Sequence, residues 1–306
     1  MFEPRHEPVL LAEVVELLAP WRGGRFLDCT VGLGGHAEAI LEAGTLAGVE
    51  LVGVDRDPMA IELARKRLSK FTGRVELVCG NFREISNLVG SWAPFAGILA
   101  DFGVSSLQLD VAERGFSFRE EGPLDMRMDP RSMPAAELVA KASEEELRNI
   151  FRDYGEEPEA RRIARAIVAA RKKKPLSTTR QLREVVCRAK RERRRGVDPA
   201  TRVFQALRIA VNDELRAIDR LLDQAIELLA PDGRLVLISF HSLEDRRVKE
   251  RLRELASGRR DPVTHQVESG SRRLELLTRR ALRPSEEEVE RNPRARSARL
   301  RAARRI

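Results

Sequence analysis

The chain has 306 residues, 42% apolar and 34% charged, which is enough for a sizeable core beneath a heavily charged surface. Its 56 basic against 48 acidic residues leave a net charge of +8, which favours a polyanionic partner, while 5% aromatic content argues against a reader built on rows of stacked rings. Three cysteines and four histidines without ligand spacing exclude a disulfide framework and give no metal site, and no signal peptide or membrane-length apolar run is visible, so a cytoplasmic protein without a membrane partner is expected.

Apolar residues at helical spacing predict a helix over 9–18, and residues 25–29 a short buried strand. A glycine-rich turn follows, then a helix over about 36–41 and a second strand over 51–54. Asp57-Pro58 opens a helix, Asp as N-cap and Pro at the first helical position. Strands are expected at 74–79 and 97–100, where Cys79, like Cys29 earlier, reads as a buried free thiol. Strict alternation of this kind means a parallel sheet covered on both faces.

The rhythm breaks after Asp101. Residues 105–142 read as irregular, and helices then follow one another, with capping boxes at Ser143/Glu146 and Thr178/Gln181 and a long helical stretch over about 199–229. Pro231-Asp232-Gly233 is a turn, residues 234–240 a buried strand, and Ser242 caps a further helix. The tail offers strands at 273–278 and 298–303. The expected architecture is an α/β domain in two parts, 1–104 and 216–306, interrupted by a mainly helical insertion over 105–215 after strand four.

Chemistry concentrates where strands end. In Asp28-Cys29-Thr30-Val31-Gly32-Leu33-Gly34-Gly35-His36, glycines permit positive φ and close approach of a ligand to the backbone. The stretch 32–37 also satisfies the dinucleotide pattern G-x-G-x-x-A. Asp55, at the end of the second strand, is placed to accept both ribose hydroxyls of a nucleoside, which suits NAD and S-adenosylmethionine equally; a solvated strand-end acid is its plainer role. Phe82 can stack on an adenine or simply fill the core. Asp101 stands at the mouth of a cleft just past an apolar strand. His241 is a further cleft candidate, with a structural hydrogen-bonding role as the simpler reading.

Cations cluster at 171–174, 188–195 and 291–305. Taken singly each is a solvated helix face or a disordered basic end; together they point to nucleic acid.

Gly32-Leu33-Gly34-Gly35-His36, Asp55-Arg56-Asp57-Pro58 and the ten residues from Asp101 to Asp110 resemble the MraW family, the ribosomal small subunit methyltransferases H. The resemblance runs on through 113–118, 122–129, 201–209, 211–215, 239–246 and 292–298, in the family's order and over nearly the whole chain. It implies a class I S-adenosylmethionine-dependent methyltransferase sheet, Rossmann-like, with a helical insertion domain after strand four. It also implies S-adenosyl-L-methionine as cofactor and methylation of the N4 amine of a cytidine in 16S ribosomal RNA, with free RNA or the small ribosomal subunit as partner; a homodimer is compatible. The cofactor contacts it implies are Gly34, Gly35, His36, Asp55, Phe82, Asp101 and Gln108, with Asp101 the one candidate for a catalytic part. Gln108 carries no signal of its own.

Two positions depart from the family. Ala100-Asp101-Phe102-Gly103 stands where Leu-Asp-Leu-Gly is usual, and Asp198 where a histidine commonly precedes Pro-Ala-Thr-Arg. A nicotinamide oxidoreductase is permitted by the glycine turn but lacks an acid/base set for hydride transfer. A noncatalytic RNA-binding assembly protein fits the charge but not the intact set of cleft residues.

Overall fold

The computed structural model describes residues 7–104, 106–191, 198–259 and 266–306. Up to Gly103 the chain runs α1 (Leu11–Leu18), β1 (Arg25–Asp28), α2 (Gly35–Ala43), β2 (Glu50–Asp55), α3 (Pro58–Arg67), β3 (Val75–Cys79), α4 (Ile85–Val89) and β4 (Phe95–Asp101). Helices then succeed one another: α5 (Ser106–Asp110), α6 (Ala135–Lys141), α7 (Glu144–Asp153), α8 (Ala160–Lys173), α9 (Thr179–Ala189) and α10 (Thr201–Asn212). After α11 (Glu214–Leu228) come β5 (Leu229–Ser239), α12 (Ser242–Ser257), β6 (Leu274–Leu276), α13 (Glu286–Arg291) and β7 (Arg299–Arg305). No helix among the described residues is long and apolar enough to cross a membrane.

The chain divides into two compact units, one running to Gly103 and resuming at Leu215, the other spanning Val104–Glu214. The first holds a sheet of order β3-β2-β1-β4-β5-β7-β6. Strands β1 to β5 are parallel; β7 lies antiparallel between β5 and β6. This is a Rossmann-like, mostly parallel sheet with one antiparallel strand, β7, between β5 and β6. Its order reverses at β1, from which the chain builds outward to β3 on one side and returns through β4 on the other. In such sheets ligands bind outside the carboxyl ends of the strands at that reversal, so the ends of β1 and β4 are the place to look.

Burial explains why the strands read clearly. Phe26, Leu27, Val52, Val54, Ile98, Leu99, Val236 and Ile238 are all buried, each worth about 1.5–3 kcal/mol on removal from water. The second unit has its own core, with Phe116, Met126, Leu147, Phe151, Ile163, Leu182 and Phe204 at its centre. Both capping boxes are present, Ser143 with Glu146 and Thr178 with Gln181.

Some expectations change. Cys79 is exposed, not buried, because β3 is an edge strand with only partly covered faces; Cys29, inside the sheet, is buried. The irregular stretch contains α5 and α6, the latter entered from extended Pro134 at its N-cap. The long helix is two, because Asp213 takes φ 50 between α10 and α11. Pro231-Asp232-Gly233 is absorbed into β5 as an irregularity: Phe95 pairs with Leu229 but Gly97 with Arg234, and Asp232 sits at φ 60. The helix after β5 is capped by His241, with Ser242 its first residue. The basic tail forms β7, where Arg299 and Arg301 bind Asp245 while Arg304 binds Asp232 and Glu275, so these cations are spent inside the fold. Residues 192–195 of the run 188–195 lie outside the described residues; in the other half Arg188 pairs with Glu184 and Lys190 with Glu157.

Candidate active site

Three acids end three adjacent strands: Asp55 on β2, Asp28 on β1 and Asp101 on β4. In each strand the acid follows a run of buried residues and stands at the carboxyl end.

The turn between β1 and α2 is shaped by backbone bonds. The Val31 N–H donates to Val54 O at 2.9 Å, and the Gly34 N–H to Val31 O at 2.7 Å. Gly34 lies at φ 80 as the N-cap of α2, a conformation costly for a residue with a Cβ. Gly35 starts the helix at ordinary φ, but a Cβ there would come within 2.5 Å of the Pro8 ring, so its smallness serves packing.

Asp55 is bound to this turn. Its Oδ2 accepts the Gly32 N–H at 3.0 Å and its Oδ1 the Asp57 N–H at 2.9 Å. Each carboxylate oxygen keeps a lone pair for a further donor, such as a ribose hydroxyl. Burial raises its pKa above the usual carboxylate range despite these two bonds.

Asp28 is 1% exposed, and its Oδ1 accepts the Thr30 N–H at 3.0 Å. Burial lifts its pKa to about 7, against the pull of the Thr30 bond and with help from the charge of Asp55. The Thr30 hydroxyl oxygen in turn accepts the Asp101 N–H at 2.7 Å. One threonine thereby couples the ends of β1 and β4.

Asp101 Oδ2 lies 3.9 Å from His36 Nδ1, while Oδ1 is buried without a hydrogen-bond partner among the described residues. Burial, then the charges of Asp28 and Glu244, push its pKa well above the ordinary range. His36 is buried at the start of α2 and its Nε2–H donates to Val9 O at 2.9 Å. A buried carboxyl oxygen with no partner is a place for a polar or cationic ligand group.

Phe82, just past β3, is partly buried and tilts against Phe102, with ring centroids 5.9 Å apart. It is therefore neither free for stacking on both faces nor lost in the core. The pair also accounts for the departure at Phe102: the larger ring is 3% exposed and fills space against Phe82.

Gly34, Gly35, His36, Asp55, Phe82 and Asp101 thus all belong to the first unit, at the carboxyl edge of the sheet. Gln108 belongs to the second unit, buried on α5, and its assignment rests on the resemblance. His241 has the structural role: it caps α12, exchanging hydrogen bonds with Glu244 across the capping box. Sequence reasoning missed Asp28 and Thr30 as site residues, although both stand inside the motif that drew attention to the turn. Asp198 binds Arg183 on α9 at 2.7 Å and accepts the Ala200 N–H at 2.9 Å, so at this position the chain carries a structural acid.

The sequence pattern of the MraW methylase family matches residues 3–306. A protein of Thermomicrobium roseum is 53% identical over 306 residues, covering 98% of this chain and 94% of the relative. One from Nitratidesulfovibrio vulgaris is 51% identical over 310 residues (98% and 95%), and one from Gluconobacter oxydans 49% over 301 (97% and 92%). All three are named ribosomal RNA small subunit methyltransferase H. Matched from residue 3 to residue 306, the chain belongs to the MraW methylase family.

Proposed function

We propose that the protein transfers the methyl group of S-adenosylmethionine to the N4 amine of a cytidine in 16S ribosomal RNA. The observation that carries the donor assignment is the row of Asp55, Asp28 and Asp101 at the sheet reversal, with Asp101 Oδ1 buried and unpartnered among the described residues. A nucleoside bearing a sulfonium needs these two things, a diol acceptor and a negative environment beside a positive sulfur. The names of the relatives support the small-subunit RNA substrate. The family resemblance supports the N4 position.

In this reading Asp55 holds the ribose hydroxyls, the turn at Gly34-Gly35 lets the donor approach the backbone, and Phe82 supplies an apolar face for adenine. When bound, the donor supplies an electrophilic methyl group. His36 keeps the Asp101 carboxyl in place from the α2 side. A cytosine amine is a weak nucleophile, its lone pair being delocalised into the ring, and a carboxylate accepting its hydrogens localises that pair. Asp101 is the candidate for this second task. Alignment and exclusion of water do the rest.

The test is transfer of labelled methyl from S-adenosylmethionine to small ribosomal subunits that lack the modification, with nucleoside analysis. Label in N4-methylcytidine is expected; label elsewhere, or none in subunits and naked RNA, refutes the proposal. With Asp101→Asn, full turnover at saturating donor would rule out the proton-accepting role.

A further inference from the structure

The edge between β1 and β4 holds more acid than base. Asp101 is faced by Asp28 from β1, by His36 from α2, with Nδ1 3.9 Å from Oδ2, and by Glu244 from α12. Asp55 on β2 acts on Asp28 in turn. Glu244 is fully buried and its Oε2 accepts the Phe240 and His241 N–H groups. No lysine or arginine forms an ion pair with Asp28 or Asp101 among the described residues. Buried carboxyls in such company oppose one another's ionisation.

Resting on the donor reading given above, we infer that the Asp28–Asp101 pair reads the charge on the donor's sulfur, retaining the sulfonium donor and releasing the neutral thioether product. Asp101 is the nearer reader because its Oδ1 lacks a partner, whereas Asp28 Oδ1 is engaged by Thr30. In the free protein, burial and the charges of Asp28 and Glu244 favour the protonated form of Asp101. With a cation seated beside it, the O–H bond breaks, the proton goes to solvent and the carboxylate remains. Once the methyl has left and the sulfur is neutral, Asp101 takes a proton back and the attraction is gone. The outcome is relief from product inhibition by charge alone, since donor and product otherwise share nearly every atom.

The experiment is titration calorimetry of the whole protein at pH 7 with S-adenosylmethionine and, separately, S-adenosylhomocysteine, each in two buffers of different ionisation enthalpy. Wild type should release more protons with the donor than with the product, the difference approaching one. Asp101→Asn, which removes the titrating group and keeps the shape, should erase the difference while still binding; this variant also subtracts ionisation of the ligands themselves. The donor-to-product affinity ratio of wild type should rise with pH, by up to about tenfold per unit while Asp101 stays protonated in the free protein. Equal proton release with both ligands, or a difference that persists in Asp101→Asn, overturns the proposal. Failure of wild type to bind either ligand overturns the donor reading and the charge reader with it, a result distinguishable from equal linkage.

Discussion

Asp28 is a residue whose cost and use can be separated by pH. Its pKa rises from 3.8 to about 7 on folding, chiefly through burial. The folded state therefore binds its proton more tightly than the unfolded state. The stabilisation is fully present below about pH 4 and is lost as pH rises through about 7. A shift of that size corresponds to roughly 4 kcal/mol between the two limits. Asn in its place keeps an oxygen for the Thr30 N–H and cannot ionise. Asp28→Asn should match wild type in denaturant unfolding near pH 4 and exceed it near pH 8; a gap independent of pH would show that Asp28 does not titrate in the fold. Asp55 makes a complementary case. Asp55→Ala removes an acceptor that serves two backbone N–H groups, and in the donor reading two ribose hydroxyls as well. Donor affinity, measured by calorimetry, should fall by about 10- to 100-fold, the worth of one or two hydrogen bonds to a charged group. The acids at 55 and 101 were legible because each ends an apolar run. Asp28 ends one too, but its part, and that of Thr30, shows only in the link that Thr30 makes between two strands distant in sequence.

At the scale of elements, the informative contrast is between caps and the last strand. The Ser143 and Thr178 boxes could be read from residue spacing because a cap is a local device, closed within three residues. The role of β7 could not. Its cations look like a basic tail, and only the fold brings Asp245 of α12 against Arg299 and Arg301, at 2.9 and 2.7 Å. Asp245 is 5% exposed, so its removal strands a largely buried guanidinium. Asp245→Ala should cost about 3 kcal/mol in equilibrium unfolding, against about 1 kcal/mol for Ser143→Ala. Equal effects would mean that β7 is held by its backbone ladder and not by these ion pairs. The motif around Asn212 yields to the same reasoning. Its side chain accepts the Met128 N–H and donates to Met126 O, at a turn where Met126 takes φ 63. A block that the resemblance marks as functional thus includes a residue that fixes a loop, and nothing in its spacing could have said so.

For the whole molecule, what matters is which cations the fold leaves unpaired. Of the three basic runs that the sequence offers, the tail has Arg299, Arg301 and Arg304 engaged by Asp245, Asp232 and Glu275. The run that ends α8 differs. Arg171 donates to Val139 O, but Lys172, Lys173 and Lys174 are exposed and form no ion pair among the described residues. Lys172 and Lys173 continue the face of α8 that carries Arg161, Arg162 and Arg165, opposite the buried Ile163, Ala164 and Ile167, and Lys174 follows as the extended C-cap. A cationic stripe opposite an apolar one is a solvated face that also suits a polyanion. Replacing the three lysines with glutamine removes charge while keeping helix propensity and length. Binding to small ribosomal subunits should weaken, and the slope of log affinity against log salt should flatten by about 2 to 3, at roughly 0.7–0.9 for each phosphate no longer neutralised. Donor affinity should stay unchanged, because the substitutions lie in the second unit and the acids of the sheet edge in the first. An unaltered slope would place the RNA-binding surface elsewhere, and a parallel loss of donor affinity would mean that the lysines act through the fold and not on the RNA.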